Sequence, residues 1–401
     1  MNNERILISG AGIAGQAAAY WFSHFGFRST VVERAPGLRL GGQGVDVREQ
    51  AIEVIERMGL ASRVRAAAAD VRGMQFVDRV GKPVARIDIQ RVKEKIDSAE
   101  VEIMRGDLVR MLYEITSGSV EYRFGDAIVS LDPESDGVTV GFERGRSERF
   151  DLVVGADGLH SAVRRLAFGP DAEFVRHMNH YFAFGDADAA LGPDRWVTLY
   201  NTPGTVAGIY RSGNHEQAKV YLGFRSPRVD FDPRDTTAVH RILIDRFGGE
   251  DAWQVRNLLD NALADEELFF DSLAQVHLPS WASDRIVLVG DAAYCASPVS
   301  GAGAELALTG AYRLAGELAA ANGGYRRAFG EYERAHGPVV TEKHRIGPNL
   351  RMMIPRTRFG IAARNTITRL PIMESLAGME RIMAPRTPTP LPDYERVLCG
   401  V

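Results

Sequence analysis

The residues best suited to chemistry in this chain are three glycines and one acid near its start. Gly10, Gly12 and Gly15 separate the apolar run at 5–9 from an alanine-rich segment, and Glu33 follows a second apolar run. In such a pattern the first glycine permits a tight turn, the second lets the backbone approach a pyrophosphate, and the third lets helix and strand pack closely. A carboxylate at the position of Glu33 accepts hydrogen bonds from ribose hydroxyls and would repel a 2′-phosphate. The pattern predicts a dinucleotide site for FAD or NAD rather than NADP; the alternative is an ordinary strand-to-helix turn.

Two later segments place an aspartate beside a glycine at the end of an apolar run. Asp157-Gly158 follows the run LVVGA, and Gly290-Asp291 follows the run IVLV. A carboxylate at a strand end can bond a sugar-like hydroxyl, such as those of the ribityl chain of FAD. A long helix begins after Gly303, and its N-terminal dipole would stabilise the negative charge of a reduced flavin. These segments favour FAD as the dinucleotide.

The elements that must position these residues can be read from the hydrophobic pattern. Residues 5–9 predict a short buried strand, the segment after Gly15 predicts a helix, and residues 29–32 predict a second strand, which together make a βαβ unit. Helices are also predicted over 46–58 and 105–117. The glycine turn and the acid at the second strand end therefore lie where a dinucleotide-binding unit needs them.

A second group of strands is predicted farther along the chain. Short alternating runs between 119 and 154 predict an antiparallel or mixed sheet, and period-2 runs from 173 to 226 predict another antiparallel sheet. Residues 233–262 are predicted to be helical, and the prolines of 385–392 predict an extended tail. The expected fold class is α/β, with a Rossmann-like FAD-binding domain, a second domain of antiparallel sheet plus helices, and a C-terminal helical segment.

The predicted domains follow from where the strand patterns change. The FAD-binding domain is expected to be discontinuous, formed by residues 1–172 and 268–336. The substrate-binding domain is expected between these two parts, at 173–267, and a C-terminal helical segment with a tail at 337–401.

Composition limits the class of protein. The chain has 401 residues, of which 45% are hydrophobic and 25% charged, and its formal net charge is −4. These values are typical of a globular protein and exclude a disordered, collagen-like or coiled-coil chain, and no overall field recruits nucleic acid. There is no membrane-spanning apolar run, no export signal and no histidine or cysteine spacing typical of a metal site. We expect a cytoplasmic protein, monomeric or homodimeric, whose Cys295 and Cys399 fit a reducing compartment.

Taken together, the three motifs resemble those of the class A flavoprotein monooxygenases, the para-hydroxybenzoate hydroxylase-like family. The resemblance covers most of residues 5–336, and the motifs follow the family order. Finer similarity in the segments 41–48, EIMRGDLVRML and GDAAYCASPVSGAG points to the branch that contains tetracycline-inactivating monooxygenases and related polyketide or aromatic hydroxylases.

The resemblance implies a reaction and its co-reactants. NAD(P)H acts as a transient hydride donor to FAD, and O2 then forms a flavin C4a-hydroperoxide that hydroxylates an aromatic or polyketide-like small molecule. A tetracycline-type antibiotic is one candidate substrate. The flavin supplies the redox and oxygen chemistry, so no catalytic side chain is predicted.

The motifs and the resemblance predict a set of residues that contact the cofactor. Arg105 resembles the family arginine that approaches the flavin nucleotide, and Arg48 follows a glycine-rich loop that lies near the flavin in the family. For Arg48 the alternative is a solvated arginine at a helix start. The predicted contacts are Gly10, Gly12, Ala14, Gly15, Glu33, Arg34, Arg48, Arg105, Asp157, Gly290, Asp291, Pro298, Gly301, Ala302, Gly303 and Ala304.

The chain departs from the family pattern at the start of the flavin-facing helix. The family usually has Gly-Gln-Gly and, two residues on, Asn, whereas this chain has Gly301-Ala302-Gly303-Ala304-Glu305. Backbone N–H contacts survive the change from Gln to Ala. A carboxylate beside an anionic reduced flavin would oppose reduction, so Glu305 turns away, pairs with a basic group, or alters the flavin chemistry.

The substrate is expected between the flavin and the second sheet. Phe184 and Tyr221, each in the middle of its strand, are the candidate substrate contacts, and the alternative is plain core packing. His160 and Cys295 are both expected to pack rather than react. The wider set of aromatic residues on these strands comprises Tyr181, Phe182, Phe184, Trp196, Tyr200, Tyr210, Tyr221 and Phe224.

The segment 341–370 is strongly basic, with seven Lys or Arg residues and one acid among interleaved apolar residues. Three interpretations stay open: a helix that bridges the domains and gates the pocket, a surface for an anionic membrane, or a packed helix with a solvated basic face.

Three functions remain open from the sequence. The leading one is the FAD-dependent monooxygenase. The second is a flavin-dependent reductase or dehydrogenase that acts on a lipid-like substrate without oxygen insertion, and the third is an FAD-binding protein in which Glu305 has disabled reduction.

Overall fold

The computed structural model describes residues 4–91, 100–232, 235–345, 349–369 and 390–399. Its strands, in chain order, are β1 (Arg5–Ser9), β2 (Arg28–Glu33), β3 (Gly44–Val47), β4 (Gly73–Val77), β5 (Pro83–Asp88), β6 (Val101–Met104), β7 (Glu121–Phe124), β8 (Ile128–Pro133), β9 (Val138–Phe142), β10 (Glu148–Phe150), β11 (Leu152–Gly155), β12 (Val175–Ala187), β13 (Trp196–Thr202), β14 (Thr205–Tyr210), β15 (Ala218–Arg225), β16 (Phe269–Val276), β17 (Ala282–Ser283) and β18 (Ile286–Leu288).

The helices are α1 (Ile13–His24), α2 (Gln50–Arg57), α3 (Ala61–Ala66), α4 (Arg105–Thr116), α5 (Ala162–Ala167), α6 (Asp171–Phe174), α7 (Thr236–Phe247), α8 (Val255–Ala264), α9 (Asp291–Tyr294), α10 (Gly303–Ala320), α11 (Tyr325–Lys343), α12 (Asn349–Met353), α13 (Arg358–Thr368) and α14 (Tyr394–Cys399). Within the described ranges, none is long and apolar enough to cross a membrane.

The first sheet contains the predicted dinucleotide-binding unit. Its strand order is β17-β18-β11-β1-β2-β7, and every neighbouring pair is parallel except β17 with β18. Ile6, Leu7 and Ile8 of β1 are fully buried, as expected for a central strand covered on both faces. Helices α1 and α10 pack against each other beside this sheet. The α/β class with a Rossmann-like domain is thereby confirmed.

The strands predicted between 119 and 154 are present but belong to two sheets. β7 and β11 join the parallel sheet, whereas β8, β9 and β10 form a separate antiparallel sheet of three strands. The helix predicted over 46–58 starts later than expected, since residues 44–47 form β3 and α2 begins at Gln50. The reason is tertiary: β3 pairs with β6, which overrides the local helical pattern.

The second large sheet supplies the platform expected for a substrate. Its strand order is β16-β12-β15-β14-β13-β4-β5. It extends beyond the predicted segment 173–267, because β4 and β5 come from the first hundred residues and β16 from 269–276. Period-2 patterning could not show that β4 pairs in parallel with β13, a contact between residues far apart in the sequence.

Each face of this large sheet has its own apolar cluster. One face packs on α7 and α8, the two helices that the structure has where a helical segment was predicted over 233–262. The other face gathers Phe182, Phe184 and Leu273 with Leu350 and Ile354 of the C-terminal segment. The tail predicted at 385–392 lies largely outside the described residues.

Candidate active site

The three predicted motifs meet at one edge of the parallel sheet. β1, β2, β11 and β18 are adjacent and parallel, with Ser9 opposite both Val32 and Gly155, and Gly155 opposite Leu288. Because the carboxyl ends of parallel strands lie at the same edge, the glycine turn, Glu33, the Asp-Gly turn and the Gly-Asp turn surround one cleft.

The glycine turn has the geometry that its spacing predicts. Gly10 has a φ of +102°, and a Cβ there would lie 2.6 Å from the carbonyl oxygen of Ala156. A Cβ on Gly15 would lie 1.9 Å from the carbonyl oxygen of Gly10, so only glycine allows the helix to approach the turn. Gly12 has nothing within 4 Å of its missing Cβ and precedes the first residue of α1. The helix start therefore presents bare backbone to the cleft, as a pyrophosphate requires.

Glu33 is held in place by the glycine turn. Its Oε2 accepts a hydrogen bond from the backbone N–H of Ala11 at 2.9 Å, and its Oε1 accepts one from Ala35 at 2.8 Å. Each carboxylate oxygen keeps a further lone pair that a ribose hydroxyl can use. Arg34, the next residue, is exposed.

The first and third motifs touch directly at Ala14 and Gly290. Gly290 has a φ of +66°, and a Cβ on it would lie only 2.7 Å from the Cβ of Ala14 and 3.9 Å from that of Ala307. The Gly-Asp turn, α1 and α10 are thereby packed as one unit. Ala302 and Ala304, at the start of α10, are buried, and Gly303 between them has nothing within 4 Å of its missing Cβ.

Asp157 uses its carboxylate within its own loop. Its oxygens accept hydrogen bonds from the hydroxyl of Ser161 at 2.5 Å and from the backbone N–H groups of Ala162 at 2.8 Å and Val163 at 3.2 Å. Burial raises the pKa of Asp157, and these hydrogen bonds oppose that rise. The side chain therefore fixes the Asp-Gly turn and the start of α5, and its contact with the cofactor remains a prediction.

Arg105 interacts electrostatically with the acids of two of the predicted motifs. Its Nη1 donates to the carbonyl oxygen of Arg39 at 3.0 Å. Burial and Arg39 lower the pKa of Arg105, while Glu33 and Asp291 are among the acids that raise it. Part of the Asp291 side chain is exposed to solvent. The surrounding protein desolvates its carboxyl and raises the pKa of Asp291, and Arg105 opposes that rise. The charge of Arg105 thus favours the ionised form of Asp291.

Glu305 pairs with basic groups, which is the second of the three options left open by the sequence. Its Oε2 lies 3.3 Å from Nε of Arg48 and 3.3 Å from Nζ of Lys343. Arg48 also donates from Nη2 to the carbonyl oxygen of Ser300 at 2.8 Å. Arg48 is therefore not the solvated arginine of the alternative interpretation. Its guanidinium links Glu305 to the turn Pro298–Ser300.

Sequence reasoning missed several members of this cluster. Lys343 also lies 2.9 Å from Glu49, and Arg48 lies 3.6 Å from Glu100. The signal that could have found Lys343 is the Glu305 carboxylate itself, because a buried charge in an alanine-rich helix requires a cation from elsewhere in the fold.

The candidate substrate contacts share one face of the large sheet. The rings of Phe184 and Tyr221 lie 4.8 Å apart between centroids and meet edge to face. Both belong to the cluster that also contains Val299 of the turn beside the predicted flavin position. Tyr181, Tyr200 and Phe224, in contrast, belong to the cluster against α7 and α8. Burial raises the pKa of the Tyr221 hydroxyl, which keeps it protonated at neutral pH.

The C-terminal basic segment covers this same face. Leu350 and Ile354 are buried in the cluster with Phe182 and Phe184. Arg364 is 5% exposed, whereas Arg351, Arg356 and Arg358 are exposed. The solvated basic face of the packed-helix interpretation describes most of the arginines, while Leu350 and Ile354 pack the segment against the large sheet.

The expectation that His160 and Cys295 only pack holds for Cys295 but is incomplete for His160. His160 was expected only to pack, yet its Nε2 lies 2.8 Å from Oδ2 of Asp271 on β16, and that carboxylate raises the pKa of His160. Cys295 is 3% exposed, and burial raises the pKa of its thiol well above the ordinary value, which agrees with a packing role.

The chain is similar to known flavoproteins over most of its length. The family described as FAD binding domain matches residues 4–342. A flavin-dependent monooxygenase of Legionella longbeachae serogroup 1 (strain NSW150) is 36% identical over 345 residues, which cover 86% of this chain and 88% of that protein. An uncharacterized protein of Mycobacterium tuberculosis (strain ATCC 25618 / H37Rv) is 42% identical over 349 residues, 86% of this chain and 94% of that one.

Solved structures agree with the sequence relatives. The crystal structure of the tetracycline destructase Tet(51) superimposes with a TM-score of 0.83 at 32% identity and covers 98% of this chain and 100% of its own. That of Tet(55) gives a TM-score of 0.81, also at 32% identity, over 98% of this chain and 100% of its own.

The fold and the site define a flavoprotein of the FAD-dependent monooxygenase class. The chain belongs to the FAD binding domain family, and its cofactor is FAD. The residues fit this cofactor: nothing lies within 4 Å of the missing Cβ at Gly12 and Gly303, and the carboxylates of Glu33 and Asp291 lie at the end of β2 and after β18.

Proposed function

We propose that this protein uses NAD(P)H and O2 to hydroxylate an aromatic or polyketide-like small molecule, with tetracycline-type antibiotics among the candidates. The observation that carries the proposal is the apolar face that joins Phe184 and Tyr221 to Val299, next to the turn at the start of α10. An electron-rich planar ligand on this face would lie beside the position expected for the flavin ring. When bound, FAD supplies the redox chemistry that activates O2 with electrons from a reduced nicotinamide.

The chain's own residues bind and orient the reactants. The N-terminal N–H groups of α1 meet the pyrophosphate, and the carboxylates of Glu33 and Asp291 accept hydrogen bonds from sugar hydroxyls. The start of α10, with its partial positive charge, stabilises negative charge that develops on the nearby ring. Asp157 fixes the Asp-Gly turn, and Arg48 fixes the turn at Ser300.

The apolar face excludes water from the reacting groups. Phe184 is 8% exposed, and Leu350 and Ile354 of the C-terminal segment are buried in the same cluster. Exclusion of water by these side chains would limit side reactions at the bound cofactor.

The test begins with purified, yellow protein. Addition of NADH or NADPH without air should bleach the flavin absorbance, and air should restore it. Incubation with candidate phenols, polyketides and tetracyclines under 18O2 should then give a product that has gained one labelled oxygen. A product without added oxygen would instead support a reductase of a lipid-like substrate, and a flavin that no nicotinamide bleaches would contradict the proposal.

Substitutions on the two faces of the large sheet locate the substrate. Phe184→Ala should raise KM for the substrate and increase NAD(P)H oxidation that yields no product. Tyr200→Phe, on the opposite face against α7 and α8, is the matched control and should leave both quantities unchanged.

A further inference from the structure

A buried cluster of charges lies at the start of α10. Glu305 is 1% exposed, and its carboxylate is shared between Arg48 and Lys343 at 3.3 Å each. Neither cation belongs to Glu305 alone, since Lys343 also lies 2.9 Å from Glu49 and Arg48 lies 3.6 Å from Glu100. The Glu305 carboxylate is therefore buried with incomplete compensation of its charge.

This cluster is connected to the part of the fold that faces the flavin. Glu305 is the third residue of α10, whose first residue, Gly303, presents open backbone. Arg48 bonds both Glu305 and the carbonyl oxygen of Ser300, and a Cβ on Gly301 would lie 3.0 Å from Oδ2 of Asp46. The charges and the turn before α10 are thus one packed unit.

The environment of Glu305 makes its charge sensitive to a nearby change in charge. Burial raises the pKa of Glu305 to about 7, and Lys343 and Arg48 oppose the rise while Glu49 adds to it. An additional negative charge nearby would disfavour the ionised carboxylate further. The charged groups that act on Glu305 are Arg48, Glu49, Lys343 and Arg313. Asp46 and Glu100 act on its partner Arg48.

We propose that Glu305 takes up one proton from solvent when the flavin is reduced and releases it when the flavin is reoxidised. Reduction delivers two electrons and one proton to the flavin and leaves it with one negative charge. The proton from solvent bonds to a carboxylate oxygen of Glu305 and removes one negative charge there. The buried region therefore keeps the same net charge in both redox states, and reoxidation returns the proton to solvent.

This inference goes beyond the proposed function, because it concerns the cofactor and this chain alone. The flavin can be reduced at an electrode, so the test needs neither a nicotinamide nor a substrate. Failure of NAD(P)H to reduce the protein would contradict the proposed function and leave this test intact.

The test measures the flavin reduction potential of the FAD-loaded protein against pH. The uptake requires a carboxylate that is ionised in the oxidised protein, so the effect should appear above the Glu305 pKa of about 7. In that range the potential should fall with pH up to twice as steeply in the wild type as in Glu305→Gln, because two protons rather than one accompany two electrons. Glu317→Gln is the matched control: it removes an acid from the same helix, about 18 Å farther along its axis, and should keep the steep dependence. Equal slopes in the wild type and Glu305→Gln would overturn the inference.

Two further measurements keep the inference falsifiable if Glu305→Gln does not fold. Lys343→Met removes a cation that favours the carboxylate, so the steep region should move to higher pH. Redox-difference infrared spectra of the wild type should show the carbonyl band of a protonated carboxylic acid appearing on reduction. A steep region that stays in place in Lys343→Met, or the absence of that band, would overturn the proposal, as would a protein that binds no flavin.

Discussion

The guanidinium carbon of Arg364 lies 3.6 Å from the centroid of the Phe76 ring. Nη1 of the same arginine donates to Oδ1 of Asn201 at 2.7 Å, and Nδ2 of Asn201 donates to the carbonyl oxygen of Met353 at 3.0 Å. Burial lowers the pKa of Arg364 to about 10, so the side chain remains charged at neutral pH. One buried cation thus fastens the C-terminal segment to β4 and β13.

Arg364→Met should loosen the segment 349–369 from the large sheet. The substitution removes the ring contact and leaves Oδ1 of Asn201 without this donor, at a cost of roughly 1–3 kcal/mol. Hydrogen exchange measured by mass spectrometry should speed up over α13. The exposed Arg358, at the start of the same helix, provides the control Arg358→Met, which should exchange like the wild type. Unchanged exchange in Arg364→Met would mean that Leu350 and Ile354 hold the segment by themselves.

Glu33→Gln should weaken FAD binding without unfolding the protein. The amide keeps one acceptor, but hydrogen bonds to a charged acceptor are lost, which corresponds to roughly 10- to 100-fold in Kd. Titration of the apoprotein with FAD, followed by flavin fluorescence, measures the change. Glu121→Gln, on the neighbouring strand β7, should bind FAD like the wild type. Equal affinities for both variants would remove Glu33 from the site.

Gly290→Ala should destabilise the fold strongly. The added Cβ would lie 2.7 Å from the Cβ of Ala14, and alanine is strained at a φ of +66°. Together these effects should cost roughly 2–5 kcal/mol in the free energy of unfolding. Gly330→Ala, in the middle of α11 with nothing within 4 Å of the added Cβ, should instead stabilise the protein by about 0.5–1 kcal/mol. Chemical denaturation of the apoproteins measures both.

The pair of His160 and Asp271 should make stability depend on pH. Asp271 raises the pKa of His160 in the folded state above its ordinary value of 6.5. A raised pKa means that the folded state holds the proton more tightly, so the stabilisation is complete below the unfolded pKa and is lost as pH rises through the folded pKa. His160 is half exposed, so the effect should be small.

A double-mutant cycle of His160→Gln and Asp271→Asn isolates this pH effect. The coupling free energy from denaturation should be favourable at mildly acidic pH and vanish at mildly alkaline pH. A coupling that is independent of pH would show that the pair is a neutral hydrogen bond.

The parts of the site that sequence predicts are those set by local backbone requirements. Gly10 and Gly15 are needed because they lack a Cβ, so their spacing alone indicates a turn that packs closely against a helix. The acid at the end of β2 follows from the same unit. The parallel order of β1, β2, β11 and β18 then brings the three motifs together, because that fold places all their ends at one edge.

The parts that sequence does not predict depend on contacts between distant residues. Lys343 meets Glu305 through the packing of α11 on α10, and no periodicity within either helix indicates that contact. β4 and β5 join the large sheet from a segment assigned to the other domain, and β3 replaces the first turn of a predicted helix because β6 pairs with it. The partner of His160 likewise comes from β16, more than a hundred residues away.

The contact between Ala14 and Gly290 constrains how the protein is made in the cell. A ribosome adds roughly 5–20 residues per second, so the glycine turn emerges roughly 15 to 60 seconds before the turn against which it packs. During that interval the first βαβ unit exposes an apolar surface that α10 will later cover. Loading with FAD must therefore wait until the Gly-Asp turn and the start of α10 have been synthesised, and the nascent chain in that interval is the species that a chaperone would recognise.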